Sequence, residues 1–259
     1  MYAPDGQHRP WKPRYHLLMP RPRNLFDPGS SRPYKISRSG LELFYDCPRC
    51  FYYDKRLGHS RPPGFPFNLN SAVDTLLKRE FDAFRQRRQL HPLMQKAGIN
   101  AVPFAHPDLE KWRANFTGVQ ALHRPSNLLV TGAVDDLWEN SAGELIVVDY
   151  KATAKAAEIT ELNEEWHAGY KRQIEIYQWL LRQNGFKVSP TAYWIYANGD
   201  ARAERFDQTL QFRMSVIPYE GSDHWVDDHV VAAKKCLTRK TPPPADDDCE
   251  YCAFASQRA

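Results

Sequence analysis

No stretch of this chain stays apolar for anything near the roughly 18 residues that a membrane-spanning helix requires, and its mean hydropathy is −0.64. A helical membrane span is therefore not expected. The N-terminus carries arginine and proline but no apolar core segment, so no secretory signal is expected and the cytoplasm is the expected location. Cysteine is scarce, with five in 259 residues. In a reducing compartment that scarcity favours metal ligands or free thiols over disulfides. No charge of one sign dominates: 35 basic against 31 acidic residues leave +4, which permits nucleic-acid binding without demanding it. There is no GxxxxGK[ST] segment, which argues against a built-in P-loop ATP motor. His59, His91, His106, His123, His167 and His224 are scattered without HExxH or HxxxH spacing and read as surface or core histidines. No internal repeat is visible, and the length suits one domain with short appendages.

What is present is concentrated between Leu128 and Lys151, which reads LLVTGAVDDLWENSAGELIVVDYK. Leu128 to Trp138 and Leu145 to Tyr150 are β-branched and aromatic enough for strands. Ser141-Ala142-Gly143 between them suits a type I turn closed by a left-handed glycine. A loop centred on residue 142 sets Asp135 opposite Asp149, with Cβ atoms about 5 Å apart. Lys151 lies two residues further along, on the same face, together with Leu137, Leu145 and Val147. Two facing carboxylates repel, so a divalent metal or the Lys151 ammonium is expected beside them. Mg²⁺ is usually held by one or two carboxylates, waters and phosphate oxygens. It would generate hydroxide and neutralise charge at a scissile phosphate, while the lysine orients water or stabilises the transition state. On these residues alone, a hairpin whose Asp149 and Lys151 are merely solvated is an equal alternative.

Around this segment, residues 1–33 are rich in Pro, Arg and His and read as an extended or disordered arm. A helix is expected from Ser37 to Tyr53, capped by Ser37, with Leu41, Phe44 and Tyr45 as its apolar stripe. A second runs from Asn70 to Gln89, with Val73, Leu76, Leu77, Phe81 and Phe84 at helical spacing. His91 to Ser126 follows no clear pattern. A helix is expected from Glu161 to Asn184, ended by Gly185. Strands are expected at Ala192 to Ala197 and Leu210 to Pro218, and a helix from Asp223 to Leu237. Lys55, Arg56, Lys78, Arg79, Arg85, Arg87 and Arg88 could track phosphates or simply coat solvated helix faces. Trp166 and Tyr170 could stack on an unpaired base or pack in the core.

Four of the five cysteines form two pairs, Cys47-Pro48-Arg49-Cys50 and Cys249-Glu250-Tyr251-Cys252. Each CxxC can turn two thiolates toward one centre, and two pairs complete a tetrahedral set that joins the N- and C-terminal segments. Spacing alone leaves Zn²⁺ and an iron–sulfur cluster open. Cys236 is left over and reads as a small buried apolar residue.

The order helix, hairpin, Asp-x-Lys strand, helix, strand resembles the PD-(D/E)xK nucleases. Particular stretches resemble the RecB-like branch, which includes CRISPR adaptation nucleases and the nuclease domains of recombination helicases. These are Ser37-Arg38-Ser39-Gly40-Leu41 followed by Tyr45-Asp46-Cys47-Pro48-Arg49, then Gly132-Ala133-Val134-Asp135, then Val148-Asp149-Tyr150-Lys151. Gln173 and Tyr177, four apart and so on one helical face, match the family's Gln-x-x-x-Tyr helix; alone they also suit an amphipathic helix with Tyr177 in the core.

The resemblance implies an α/β restriction-endonuclease-like core, a central mixed sheet flanked by helices, spanning residues 34–259 behind the 1–33 arm. It implies Mg²⁺- or Mn²⁺-dependent cleavage of DNA, single- or double-stranded. Asp135, Asp149, Lys151, Gln173 and Tyr177 would form the site, and helicase, repair or CRISPR proteins are the partners to expect. Where the family often has Gly-x-x-x-His, this chain has Asn70-Ser71-Ala72-Val73-Asp74. Asp74 either replaces the imidazole in the metal shell beside Asp135 and Asp149 or marks a branch that keeps the fold as an inactive nucleic-acid-binding or assembly module. The resemblance also favours a [4Fe–4S] cluster on Cys47, Cys50, Cys249 and Cys252, with Zn²⁺ as the alternative.

Overall fold

The structure, a computed structural model, describes residues 24–62, 68–205 and 207–256. Most of the expected arm, up to residue 23, therefore lies outside the described residues. Its last part is packed: Phe26 is buried edge-on against Tyr34 and donates its N–H to the Lys55 carbonyl at 2.8 Å.

The chain runs β1 (Tyr34–Ser37), α1 (Arg38–Asp46), α2 (Pro48–Tyr52), a π-helical turn (Tyr53–Leu57), α3 (Asn68–Arg87), α4 (Pro92–Lys96), β2 (Ala101–Pro103), α5 (Leu109–Arg113), β3 (Val119–His123), β4 (Leu128–Gly132), β5 (Asp136–Asn140), β6 (Leu145–Thr153), α6 (Ala168–Gln183), β7 (Thr191–Gly199), β8 (Phe212–Glu220), α7 (Val226–Thr238) and α8 (Glu250–Ser256). The single helix expected from Ser37 to Tyr53 is two. Ser37 caps α1 as expected, its Oγ accepting from the Gly40 N–H at 3.1 Å. Proline disfavours helical backbone in the residue before it, and Cys47, before Pro48, is extended. In α3, Leu77 and Phe81 are buried but Leu76 faces solvent. The pattern that resisted assignment between His91 and Ser126 holds two helices of five residues and two short strands.

Two sheets form. A mixed five-stranded sheet has the order β2-β5-β6-β7-β8, parallel only between β6 and β7. A three-stranded sheet has the order β1-β4-β3. The expected strand from Leu128 to Trp138 is thus divided: β4 belongs to the small sheet and β5 to the large one. The β5–β6 hairpin has the register the turn dictates, with Leu137 facing Val147 and Asp136 facing Val148. Gly143 closes the turn at φ +70°, where glycine meets no steric penalty.

The alternating side chains of this hairpin feed two cores. Leu137, Leu145 and Val147 pack with Ile174 and Leu180 of α6. Trp138, Ile146, Val148 and Tyr150 pack with Leu77 and Phe81 of α3. Removing each such side chain from water stabilises the fold by about 1.5–3 kcal/mol. Helices thus lie on both faces of β6, and the end of that strand is held in place from both sides. No helix among the described residues is long and apolar enough to cross a membrane.

Candidate active site

Between β4 and β5 the backbone leaves both ladders, and its polar groups turn to α5. The Val134 N–H donates to the Trp112 carbonyl at 3.2 Å, and Arg113 Nε donates to the Asp135 carbonyl at 3.0 Å. This exit is where two neighbouring carboxylates part. Asp136 turns inward and is fully buried. It accepts from Arg113 (2.8 Å), from the Tyr150 hydroxyl (2.7 Å) and from Arg85. Asp82 bridges the same two arginines. Asp135 turns the other way, and its Oδ2 accepts from the Tyr150 N–H at 3.0 Å. The side chain of Asp135 thus reaches across to β6, beside Asp149.

Asp149 is fully buried. Its Oδ1 accepts from Gln173 Nε2 at 2.8 Å, and the same amide group donates to the Tyr177 hydroxyl at 3.0 Å. Its Oδ2 has no hydrogen bond of good geometry and is ion-paired with Lys151. Burial pushes the Asp149 carboxyl up to about 7; Lys151 pulls against that rise and Asp135 adds to it. Burial alone would lower Lys151, but Asp149 and Asp135 hold it above the ordinary lysine value. Lys151 is thus the cationic partner of Asp149, and its Nζ lies over the Tyr170 ring at 4.4 Å.

Asp74 enters the same site from α3, lining a small cavity of about 100 Å³ with Asn70, Tyr150, Lys151 and Tyr170. It does not join Asp135 and Asp149 directly. Lys78, one helical turn on, stands between, 2.9 Å from Asp74 Oδ2 and 3.5 Å from Asp135 Oδ1. Burial and the Asp135 charge raise the Asp74 carboxyl, and Lys78 opposes them. Lys78 was legible only as one of a basic run, although the i, i+4 spacing Asp74–Lys78 is a readable signal. That run is not a stripe: Arg85 is buried on Asp136, Lys55 pairs with Asp54 at 2.8 Å, and Arg56 donates to the Leu237 carbonyl at 2.6 Å. Arg113 and Asp136 carried no sequence signal.

The helix that supplies Gln173 and Tyr177 approaches β4 closely. A Cβ on Gly132 would fall 2.6 Å from Tyr177 Cε1 and 2.9 Å from Leu180 Cδ1, so the glycine of Gly132-Ala133-Val134-Asp135 makes room for α6. Tyr177 is buried in the core, with its hydroxyl at the site. Before α6, Trp166 is the only exposed tryptophan among the described residues. It contacts Tyr170 edge-on at 5.6 Å, and Lys155 Nζ lies 4.7 Å over its ring.

A profile of the PD-(D/E)XK nuclease superfamily matches residues 35–257. The chain belongs to that superfamily. No curated protein matches it in sequence. Among solved structures, the crystal structure of SSO0001 aligns over 86% of this chain and 84% of its own, at 14% identity and TM-score 0.38. PD-(D/E)XK nucleases typically use divalent metals, and the carboxylate oxygens of Asp149 and Asp135 are donors of the kind that suit a hard ion.

The cysteines come together as their spacing implies. Cys47 Sγ lies 3.6 Å from Cys252 Sγ, and Cys50 Sγ lies 3.6 Å from Cys249 Sγ. All four sulfurs are within 4.8 Å of one another, and among the described residues no other group of three or more His, Cys, Asp or Glu donors converges so tightly. Cys236 stands apart and donates its thiol to the Pro48 carbonyl at 3.5 Å.

Proposed function

We propose that this PD-(D/E)XK protein is a DNA nuclease that hydrolyses phosphodiester bonds with Mg²⁺ or Mn²⁺ held by Asp135 and Asp149. The observation that carries this reading is the buried Asp149, with one oxygen fixed by Gln173 and the other left to Lys151 beside Asp135. The metal, when bound, supplies a low-pKa water and charge at the scissile phosphate. The chain's own residues do the rest. Gln173 fixes the orientation of Asp149, and Tyr177 fixes Gln173. Lys151 faces the attacked phosphate as an ammonium and stabilises the added negative charge. Asp74 acts through Lys78, holding that second ammonium against Asp135. Trp166 and Tyr170, with Lys155 and Lys151 over their rings, offer stacking faces and positive charge to a strand approaching the site. The resemblance to RecB-like proteins supports a place in DNA repair, recombination or mobile-element defence.

The test is incubation of the purified chain with end-labelled single- and double-stranded DNA and Mn²⁺. Cleavage is expected, with at least a hundredfold loss in Lys151→Ala and Asp149→Ala and unchanged circular dichroism. No cleavage by the wild type, or undiminished cleavage by both variants, sinks the proposal. A second reading, a module that binds nucleic acid without cutting it, is favoured by Lys78, whose ammonium occupies cationic space between Asp74 and Asp135. Metal-independent DNA binding with no Mn²⁺ uptake at Asp149 would select it.

A further inference from the structure

We infer that Cys47, Cys50, Cys249 and Cys252 hold a single tetrahedral Zn²⁺, not the [4Fe–4S] cluster that the resemblance to RecB-like proteins implies. Zinc–thiolate bonds of about 2.3 Å place the sulfurs of one tetrahedral ion about 3.8 Å apart. The two closest pairs stand at 3.6 Å, and no pair exceeds 4.8 Å. A four-iron cube carries one thiolate on each of four separate irons, so its cysteines must stand further apart than the ligands of one ion. The sulfurs leave room for one ion and not for a cube.

The surroundings agree. Cys47 caps the first turn of α2, its sulfur accepting from the Cys50 N–H at 3.4 Å. Arg61 donates to Cys249 Sγ at 3.4 Å, and its guanidinium lies over the Tyr251 ring at 4.5 Å. Four thiols give their protons to solvent as zinc binds, leaving a centre of net charge 2−. Arg61 is the cation that offsets it. No electron changes hands, so the centre's work is mechanical. It ties the α1–α2 corner to α8, with Cys47, Cys249 and Cys252 buried and Cys50 half-buried.

The experiment is metal analysis of the full chain, purified without oxygen from cells grown with both iron and zinc. One zinc per chain is expected, with no visible iron–sulfur absorption and no acid-labile sulfide. Exchange into Co²⁺ should give the intense bands of a tetrahedral thiolate site. Cys50→Ser with Cys252→Ser should abolish the metal, and Cys236→Ser should keep it. Arg61→Ala should lose zinc to a chelator about tenfold more readily, the usual scale for an outer-shell partner. Stoichiometric iron and sulfide in the wild type would overturn the assignment, as would a metal-free wild type or zinc retained in the double serine variant. If the double variant fails to fold, the wild-type metal content and cobalt spectrum decide alone.

Discussion

Gly132 and Tyr177 are in such close contact that a single methyl group at Gly132 would lie 2.6 Å from the tyrosine ring. Gly132→Ala must push α6 away from β4. Overpacking of this kind costs about 1–3 kcal/mol, and the displaced helix carries Gln173 away from Asp149. Urea denaturation should show the loss of stability. DNA cleavage should fall further than stability does, because the Gln173–Asp149 hydrogen bond moves with the helix. A variant with wild-type cleavage and a wild-type midpoint would contradict the packing.

Lys78 is the counter-ion that Asp74 and Asp135 share. In Lys78→Met the two carboxylates face each other without it. With a chelator present, the variant should be less stable than wild type by about 1.5–3 kcal/mol, the scale for hydrogen bonds to charged groups. Mn²⁺ should restore more stability to the variant than to wild type, because a dication then takes the vacated position. Thermal melts with and without Mn²⁺ measure both effects.

Asp135 and Asp136 should respond to alanine in opposite ways. Asp136→Ala takes the buried anion from Arg85 and Arg113, both largely buried, and leaves them only the more exposed Asp82 to share. Breaking a buried pair from one side costs about 3–5 kcal/mol, enough to make the variant poorly soluble. Asp135→Ala loses the hydrogen bond from the Tyr150 N–H, worth about 1 kcal/mol, and the 3.5 Å ion pair with Lys78, which keeps Asp74, and should fold. It should lose Mn²⁺ binding in isothermal titration. Soluble yield and titration together separate the structural carboxylate from the functional one.

His229 gives the fold a pH dependence. Its Nε2 donates to the Leu41 carbonyl at 3.0 Å, among Phe44, Tyr45 and Trp225, with Glu42 and Arg172 as the charges nearby. Burial lowers its pKa below the ordinary histidine value, the Leu41 carbonyl and Glu42 oppose that, and Arg172 adds to it. The folded state therefore favours the neutral ring. The associated stability is complete above about pH 6.5 and is lost as pH falls from there through the lower, folded-state value. Between pH 8 and pH 5 the wild-type urea midpoint should drop more than that of His229→Asn. Parallel profiles would show that the ring does not titrate across folding.

The hairpin was legible because its signals are local. A turn with a glycine in its last position fixes a register, and register decides which side chains face each other. The pairing of Leu137 with Val147 follows from the sequence for that reason. The two CxxC pairs were legible because their spacing is chemistry. What the sequence hid is long-range. Nothing in Leu128 to Trp138 marks the place where one strand becomes two, because the groups that draw the backbone out belong to Trp112 and Arg113. The i, i+4 spacing from Asp74 marks Lys78 apart from its neighbour Arg79, but nothing in the sequence says that it meets Asp135. The partition of Asp135 from Asp136 depends on Arg85 and Arg113, and both stand far away in sequence.

That partition restricts evolution as well as folding. Two identical residues sit side by side, one supporting the core and one facing the site, and only the count of residues from Gly132 to the turn tells them apart. Inserting or deleting one residue there would deliver Asp136 to the site and thrust Asp135 among the arginines. Alignments of homologous chains should therefore show no gaps in this segment.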